Sequence, residues 1–478
     1  MYRFIIGLLL LQLICTVSSF AGSVSVYEID GQKVGPYNKT RGPKAVVSVE
    51  HRVKDSNYQL DTLTISQDTI LVSLKDSVHW LEMEKNTIYS VCVDDAHGGI
   101  WKAIGLNYRE QNKNCIQLHS GNYVKSAKIQ YATKMGNGYT FNLLIGMKYI
   151  DLRGEKHLLG LNGPEYKLKE QRIYWDIESQ LNNRIYLDPA RLESIDEVLA
   201  VDKYMVTECE FVQALWDSIP ANPLDELLES QNFWIQKKKS MTKGGFCDAH
   251  DSAAIRIKPY LALVYANIRS LRDGLRPVYS FEESNGRKIE LNEDGSFGIH
   301  KESFRDSYRD GHRYYVHVSV DKSANGYRLP YYNEWMALAR GGEANYRYIW
   351  GNESDSVLAS QYAWFGVRDP EDQYSKIKAE NTSDSRFWLK YSCGRWLQKS
   401  RPVGMLKPNP YGLYDIVGLV CENVLLPGKS IFSDEVFSCK GGFLADSLES
   451  LNLGSHCDTG GARGGLRFQG LRLVRQIK

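Results

Sequence analysis

Past its first twenty residues the 478-residue chain has no apolar run long enough to cross a bilayer as a helix, so no internal membrane helix is expected. It has no charge bias either. Lys and Arg number 59 against 57 Asp and Glu, a formal net charge of +2, which provides no basic footprint for nucleic acid. No Gly-rich phosphate loop follows a strand, no Gly-x-Ser-x-Gly elbow occurs, and no basic patch carries interleaved aromatics. Nucleotide, serine-hydrolase and nucleic-acid readings therefore have nothing to rest on. Histidine is scarce, and His300, His312 and His317 lack the i, i+4 spacing of a metal-binding helix. The run Cys247-Asp248-Ala249-His250-Asp251 has metal-ligating residue types, but no second Cys/His group stands at a matching distance, so a polar loop is expected.

Tyrosine is plentiful, with 30 copies against 15 phenylalanines, as suits strands and wet interfaces. Met1-Tyr2-Arg3 and the apolar stretch Phe4 to Leu13, followed by Ser19-Phe20-Ala21, read as a secretory signal peptide over residues 1–21. A lipid anchor at Cys15 is disfavoured by the bulk of Ile14 before it. The expectation is a secreted or periplasmic protein. Losing Cys15 with that segment leaves eight of nine cysteines, an even set that suggests disulfides in an oxidising compartment, with Cys92 and Cys115 able to pair.

The length favours two domains. Residues 24–165 read as a string of strands. Alternation at Leu63 and Ile65 and again at Ile70, Val72 and Leu74 precedes candidate strands at 45–49, 87–93, 127–131 and 139–144, and the pattern suggests an all-β, sandwich-like domain. Residues 166–194 read as a charged connector. The second domain, 195–478, opens with a strand-like Val201 to Val206 and a capping box at Thr207 and Glu210. A helix follows from Pro259 to Asp273, stopped by Gly274. Pro330 is placed to open another, which carries Trp335, Leu338 and Ala339 on one face and stops at Gly341-Gly342.

The stretch Tyr327-Arg328-Leu329-Pro330 through Glu334-Trp335 to Ala339-Arg340-Gly341-Gly342 resembles the signature of the formylglycine-generating enzyme, or sulfatase-modifying factor, family. Further matches keep the family's order. They are Tyr348 to Asn352, Tyr362 to Phe365, Arg401 to Gly404, Lys407 to Ile416, and the terminal Gly470-Leu471-Arg472. The resemblance implies an α+β, C-type-lectin-like fold with much irregular structure. In the family, two cysteines near the C-terminus bind copper(I) as thiolates and oxidise a substrate cysteine to formylglycine. Here the corresponding region, Asn452 to Gly465, has only Cys457. A linear two-sulfur copper site needs both ligands. The family's calcium segment corresponds to Gly418 to Asn423, which keeps Glu422 as a candidate metal ligand but has Leu419 where an Asn oxygen is expected. The resemblance thus points to a binding or scaffold module for a protein or glycan partner, with Trp364, Tyr362 and Arg463 as candidate contacts. The alternative is a copper-dependent oxidase built on Cys457 with Cys439 or Cys421.

Overall fold

The computed structural model describes residues 27–29, 32–34, 67–72, 74, 78–95, 97–160, 185–187, 191–219, 229–248, 251–257, 259–283, 288–289, 307–309, 312–314, 316–342, 346–365, 400–426, 437–444, 448–457 and 469–477. The chain divides into two compact units, 1–45 and 46–478. In the first, Tyr27–Ile29 pairs antiparallel with Gln32–Val34.

The second unit begins with two four-stranded sheets. One runs in the order Gln67–Val72, Ile88–Val93, Cys115–His119, Tyr108–Glu110. The other runs Val78–Met83, Gly138–Ile145, Lys125–Thr133, Gly99–Ile104. Period-two alternation turns Val91, Ile116 and Leu118 of the first sheet, and Ile129, Tyr131, Phe141 and Leu143 of the second, into one core. Trp101 packs there against Tyr131, with ring centroids 4.6 Å apart. Cys92 lies directly opposite Cys115 and is disulfide-bonded to it across a sequence separation of 23. Closing a loop of that size stabilises the fold by about 3 kcal/mol. The expected strands at 87–93, 127–131 and 139–144 form with slightly shifted ends. Those at 45–49 and around Leu63 lie outside the described residues.

The chain turns at Gly146, inside the stretch read as the first domain. This glycine has φ 69°, and a Cβ there would press on Val124. Beyond it, Met147–Asp151 pairs with Val198–Asp202, which pairs with Val474–Gln476, which in turn pairs with Tyr327–Arg328. Lys156–Leu159 pairs with Arg191–Ser194, so the stretch read as a connector supplies strands. Leu144 and Met147 enter the core of Ala200, Phe211, Leu263 and Tyr265. The expected strand over 201–206 ends at Asp202. That carboxylate takes two bonds from Arg269, at 2.6 and 2.7 Å, with both side chains fully buried.

The capping box forms as read. Thr207 Oγ1 accepts from the Glu210 amide at 3.3 Å and opens the helix Glu208–Ala214. Glu210 also accepts from Lys85 Nζ at 2.8 Å, which ties the loop after Val78–Met83 to this helix. The helix Pro259–Arg272 ends before Gly274, at φ 68°. The helix Tyr332–Arg340 starts two residues later than Pro330 implies. Tyr331 is its cap, because Glu334 turns back to accept from the Tyr331 amide at 2.8 Å while pairing with Arg328. Gly341, left-handed at φ 69°, ends it.

Candidate functional site

A five-stranded sheet carries the residues singled out for chemistry, in the order Ile185–Leu187, Ser455–Cys457, Phe437–Lys440, Cys421–Leu425, Gln469–Gly470. Its central strands are buried throughout. Asn423 stands opposite Cys439, and Cys439 opposite Cys457. Cys421 and Cys439 are joined by a disulfide, with Cα atoms 5.7 Å apart. Pairing of the strands brings Cys439 level with Cys457. Long-range register of this kind has no local signal in the sequence.

Glu422, the candidate metal ligand, has both carboxylate oxygens engaged by protein donors. One oxygen accepts from Arg472 Nε at 3.0 Å, and the other from Trp335 Nε1 at 2.7 Å. Burial raises its pKa, against the opposing pull of Arg472. With Leu419 in place of an oxygen ligand and both Glu422 oxygens engaged, the site does not fit calcium. Among the described residues no group of three or more His, Cys, Asp and Glu is arranged to hold a metal. A two-thiolate copper site does not fit this form either, because Cys421 and Cys439 are consumed by their mutual bond.

Arg472 is the hub beneath this sheet. Beyond Glu422, it donates to the carbonyls of Asp202 at 2.7 Å, Lys203 at 3.0 Å and Tyr414 at 2.6 Å. Nearby, Asp415 is fully buried and accepts from the Gly404 amide at 2.6 Å. Burial pushes its carboxyl up to about 6, although the Gly404 bond and the Arg472 charge pull the other way. Sequence reading placed both residues in motifs without assigning them roles. Their only signal was a charged residue inside an otherwise apolar run.

Trp364 and Tyr362 come together with two cations. Gly418, at φ 74°, lies so close to the Trp364 carbonyl that a Cβ would collide with it, and the Leu419 amide donates to the same carbonyl at 3.2 Å. This clamps the loop on the domain with both aromatic rings half-buried. The Arg401 guanidinium lies 5.7 Å from the Trp364 ring, and Lys407 Nζ lies 5.5 Å from the Tyr362 ring. Lys407 Nζ also donates to Gln361 at 2.6 Å. Each ring thus carries its own cation. Arg463 lies outside the described residues, as do residues 1–21, which were read as a signal peptide, and His250 and His300. No helix among the described residues is long and apolar enough to cross a membrane.

Comparison with known proteins places these features. Chaperone protein LppX of Paenibacillus barcinonensis is 29% identical over 169 residues, which cover 35% of this chain and 49% of that protein. The formylglycine-generating enzyme of Mus musculus is 35% identical over 99 residues, 20% of this chain and 21% of that enzyme. The chain thus spans about half the length of the first relative and about a fifth of the second. Among solved structures, Treponema denticola variable protein 1 aligns at 18% identity and TM-score 0.41, covering 73% of this chain and 99% of its own. PvdO from Pseudomonas aeruginosa aligns at 14% identity and TM-score 0.35, covering 68% and 92%. The model of the sulfatase-modifying factor enzyme 1-like domain matches residues 176–477, which include the signature helix, the Glu422 segment and the terminal Arg472. The chain belongs to the sulfatase-modifying factor enzyme 1-like family.

Proposed function

We propose that this chain is an exported, non-catalytic binding or scaffold module that presents its sulfatase-modifying-factor domain to a protein or glycan partner at the cell surface or in the periplasm. The observation that carries this reading is the Cys421–Cys439 disulfide, which removes from thiol chemistry the two cysteines that an oxidase built on Cys457 would need. Two further disulfides, Cys92–Cys115 and Cys209–Cys247, accord with an oxidising compartment. Tyr362 with Lys407 and Trp364 with Arg401 are the proposed contacts, and Arg463 is proposed with them from its place in the sequence motif. Half-buried rings bearing cations suit the apolar faces and hydroxyls of sugars as well as acidic peptide groups. The name of the Paenibacillus relative, a chaperone protein, favours a protein partner. The two four-stranded sheets and their shared core support taking the N-terminal part as an all-β, sandwich-like spacer.

The test has two arms. The mature protein, loaded with copper(I) under reductant, is mixed with a peptide carrying Cys-x-Pro-x-Arg, and the peptide mass is followed. No conversion is expected, with copper held no tighter than by Cys457→Ser. Conversion that vanishes in Cys457→Ser would replace the scaffold reading with an oxidase. In the second arm, Trp364→Ala and Arg463→Ala are expected to weaken every interaction found on a panel of glycans and surface proteins. Unchanged binding would remove these contacts from the reading.

A further inference from the structure

We propose that the cleft between Glu197 and the Asp321-Lys322 turn binds a small molecule through a primary ammonium group. The cleft holds about 170 Å³ and is bordered by Glu197, Val278, Val320, Asp321, Lys322 and Tyr331. It forms where two sheets end. Among the described residues, Tyr327–Arg328 is the edge strand of the sheet that contains Val474–Gln476. Val316–Val320 is likewise the edge strand of a sheet with Tyr279–Glu283. The turn joining these two edges runs along the cleft and is held in place. The Asp321 amide donates to the Val278 carbonyl at 2.8 Å, and the Asp321 carboxylate accepts from the Ser323 amide at 2.8 Å and its hydroxyl at 2.7 Å. Drug-sized ligands fill about 300–1,000 Å³, so the occupant here is a smaller compound or the end of a longer one.

The charges on the cleft select its ligand. Arg328 and Glu334 neutralise each other through two bonds, at 2.6 and 2.7 Å, and the Arg328 guanidinium lies 4.7 Å from the Tyr331 ring centre. Glu197 has no cation of its own. One of its oxygens accepts from the Gln476 side-chain amide, and the other makes no hydrogen bond among the described residues. Burial raises the Glu197 pKa, Arg328 pulls against it, and the Glu334 charge adds to the rise. An ammonium group placed against the open oxygen supplies a charge-assisted hydrogen bond and the missing counter-charge. Asp321 adds a second negative charge at the mouth, while Val278, Val320 and Tyr331 offer apolar surface to the carbon stem. Lys322 is exposed at the same mouth and forms no ion pair among the described residues, so it can take the carboxylate when the ammonium belongs to an amino acid. Neither the disulfides nor the Tyr362 and Trp364 contacts enter this inference, which stands apart from the scaffold reading.

Ligand-observed NMR titration of the full chain at pH 7 and fixed ionic strength tests it, with n-butylamine, n-butanol, L-valine and L-valinamide as probes. The amine is expected to bind about tenfold or more tightly than the alcohol of the same length. Glu197→Gln keeps the size of the side chain and its bond from Gln476, and should erase that preference. Tighter binding of L-valine than of L-valinamide, with the gain lost in Lys322→Met, would identify an amino acid as the source of the ammonium; equal binding would identify a simple amine. The proposal is overturned if n-butylamine binds folded wild type no more tightly than n-butanol. It is equally overturned if Glu197→Gln, with unchanged circular dichroism and urea midpoint, binds the amine as well as wild type does. Should that variant not fold, the comparison of amine with alcohol on wild type decides.

Discussion

Replacing Arg472 with Met is the sharpest test of how the domain is held together. The side chain is fully buried and joins three parts of the chain: Glu422, the Asp202-Lys203 turn, and Tyr414. Methionine fills much of the volume but donates nothing. Glu422 is then left as a buried carboxylate with only the Trp335 bond, and the carbonyls of Asp202, Lys203 and Tyr414 each lose a donor. Breaking one side of a buried ion pair costs about 3–5 kcal/mol. About 4 kcal/mol is expected at pH 7, close to a thousandfold in the folding equilibrium. Urea unfolding followed by tryptophan fluorescence measures it. In a Glu422→Gln background the uncompensated charge is gone, while the amide oxygen still accepts from Trp335. The same Arg472→Met change should there cost about 2 kcal/mol less. A cost below about 1 kcal/mol, or an equal cost in both backgrounds, would refute the view of Arg472 as the charge partner on which this core depends.

Asp415 should make stability depend on pH in the direction opposite to an ordinary salt-bridged carboxylate. Its folded value of about 6 lies above the 3.8 of an unperturbed Asp, so the native state holds the proton more tightly than the unfolded chain. Its contribution to stability is intact below pH 4 and falls through pH 6, by about 3 kcal/mol in all. The difference in melting temperature between wild type and Asp415→Asn, measured from pH 4 to 7.5, should therefore change across that window; a flat difference would contradict the assignment. Glu210→Gln should leave the buried Lys85 ammonium without its counter-charge and cost about 3 kcal/mol in thermal or urea unfolding. Lys85→Met combined with Glu210→Met should cost less than either single change, and strict additivity would count against a direct pair.

Local chemistry made much of this chain legible. Thr207 and Glu210 announce a helix start because a hydroxyl and a carboxylate three residues apart can satisfy each other's amides. Gly274 and Gly341 mark helix ends because only glycine takes the left-handed turn without cost. Alternating side chains marked the strands Lys125–Thr133 and Gly138–Ile145, and their packing into a common core followed. The ordered run of motifs from Tyr327 to Arg472 was enough to indicate the family. Which strands would pair was not written locally. Met147–Asp151 left the first sheets for Val198–Asp202 because Gly146 turned the chain toward a larger apolar core, and no pattern in its five residues records that choice. Asp202 with Arg269, Lys85 with Glu210, and Glu422 with Arg472 are partners separated by 67, 125 and 50 residues. None of these pairings has a local signal in the sequence. The sequence by itself determined the elements, their caps and the family. Only the tertiary structure decided that Glu422 pairs with Arg472, and that Cys439 lies on a strand between those of Cys421 and Cys457, because register and burial arise from contacts that no short stretch contains.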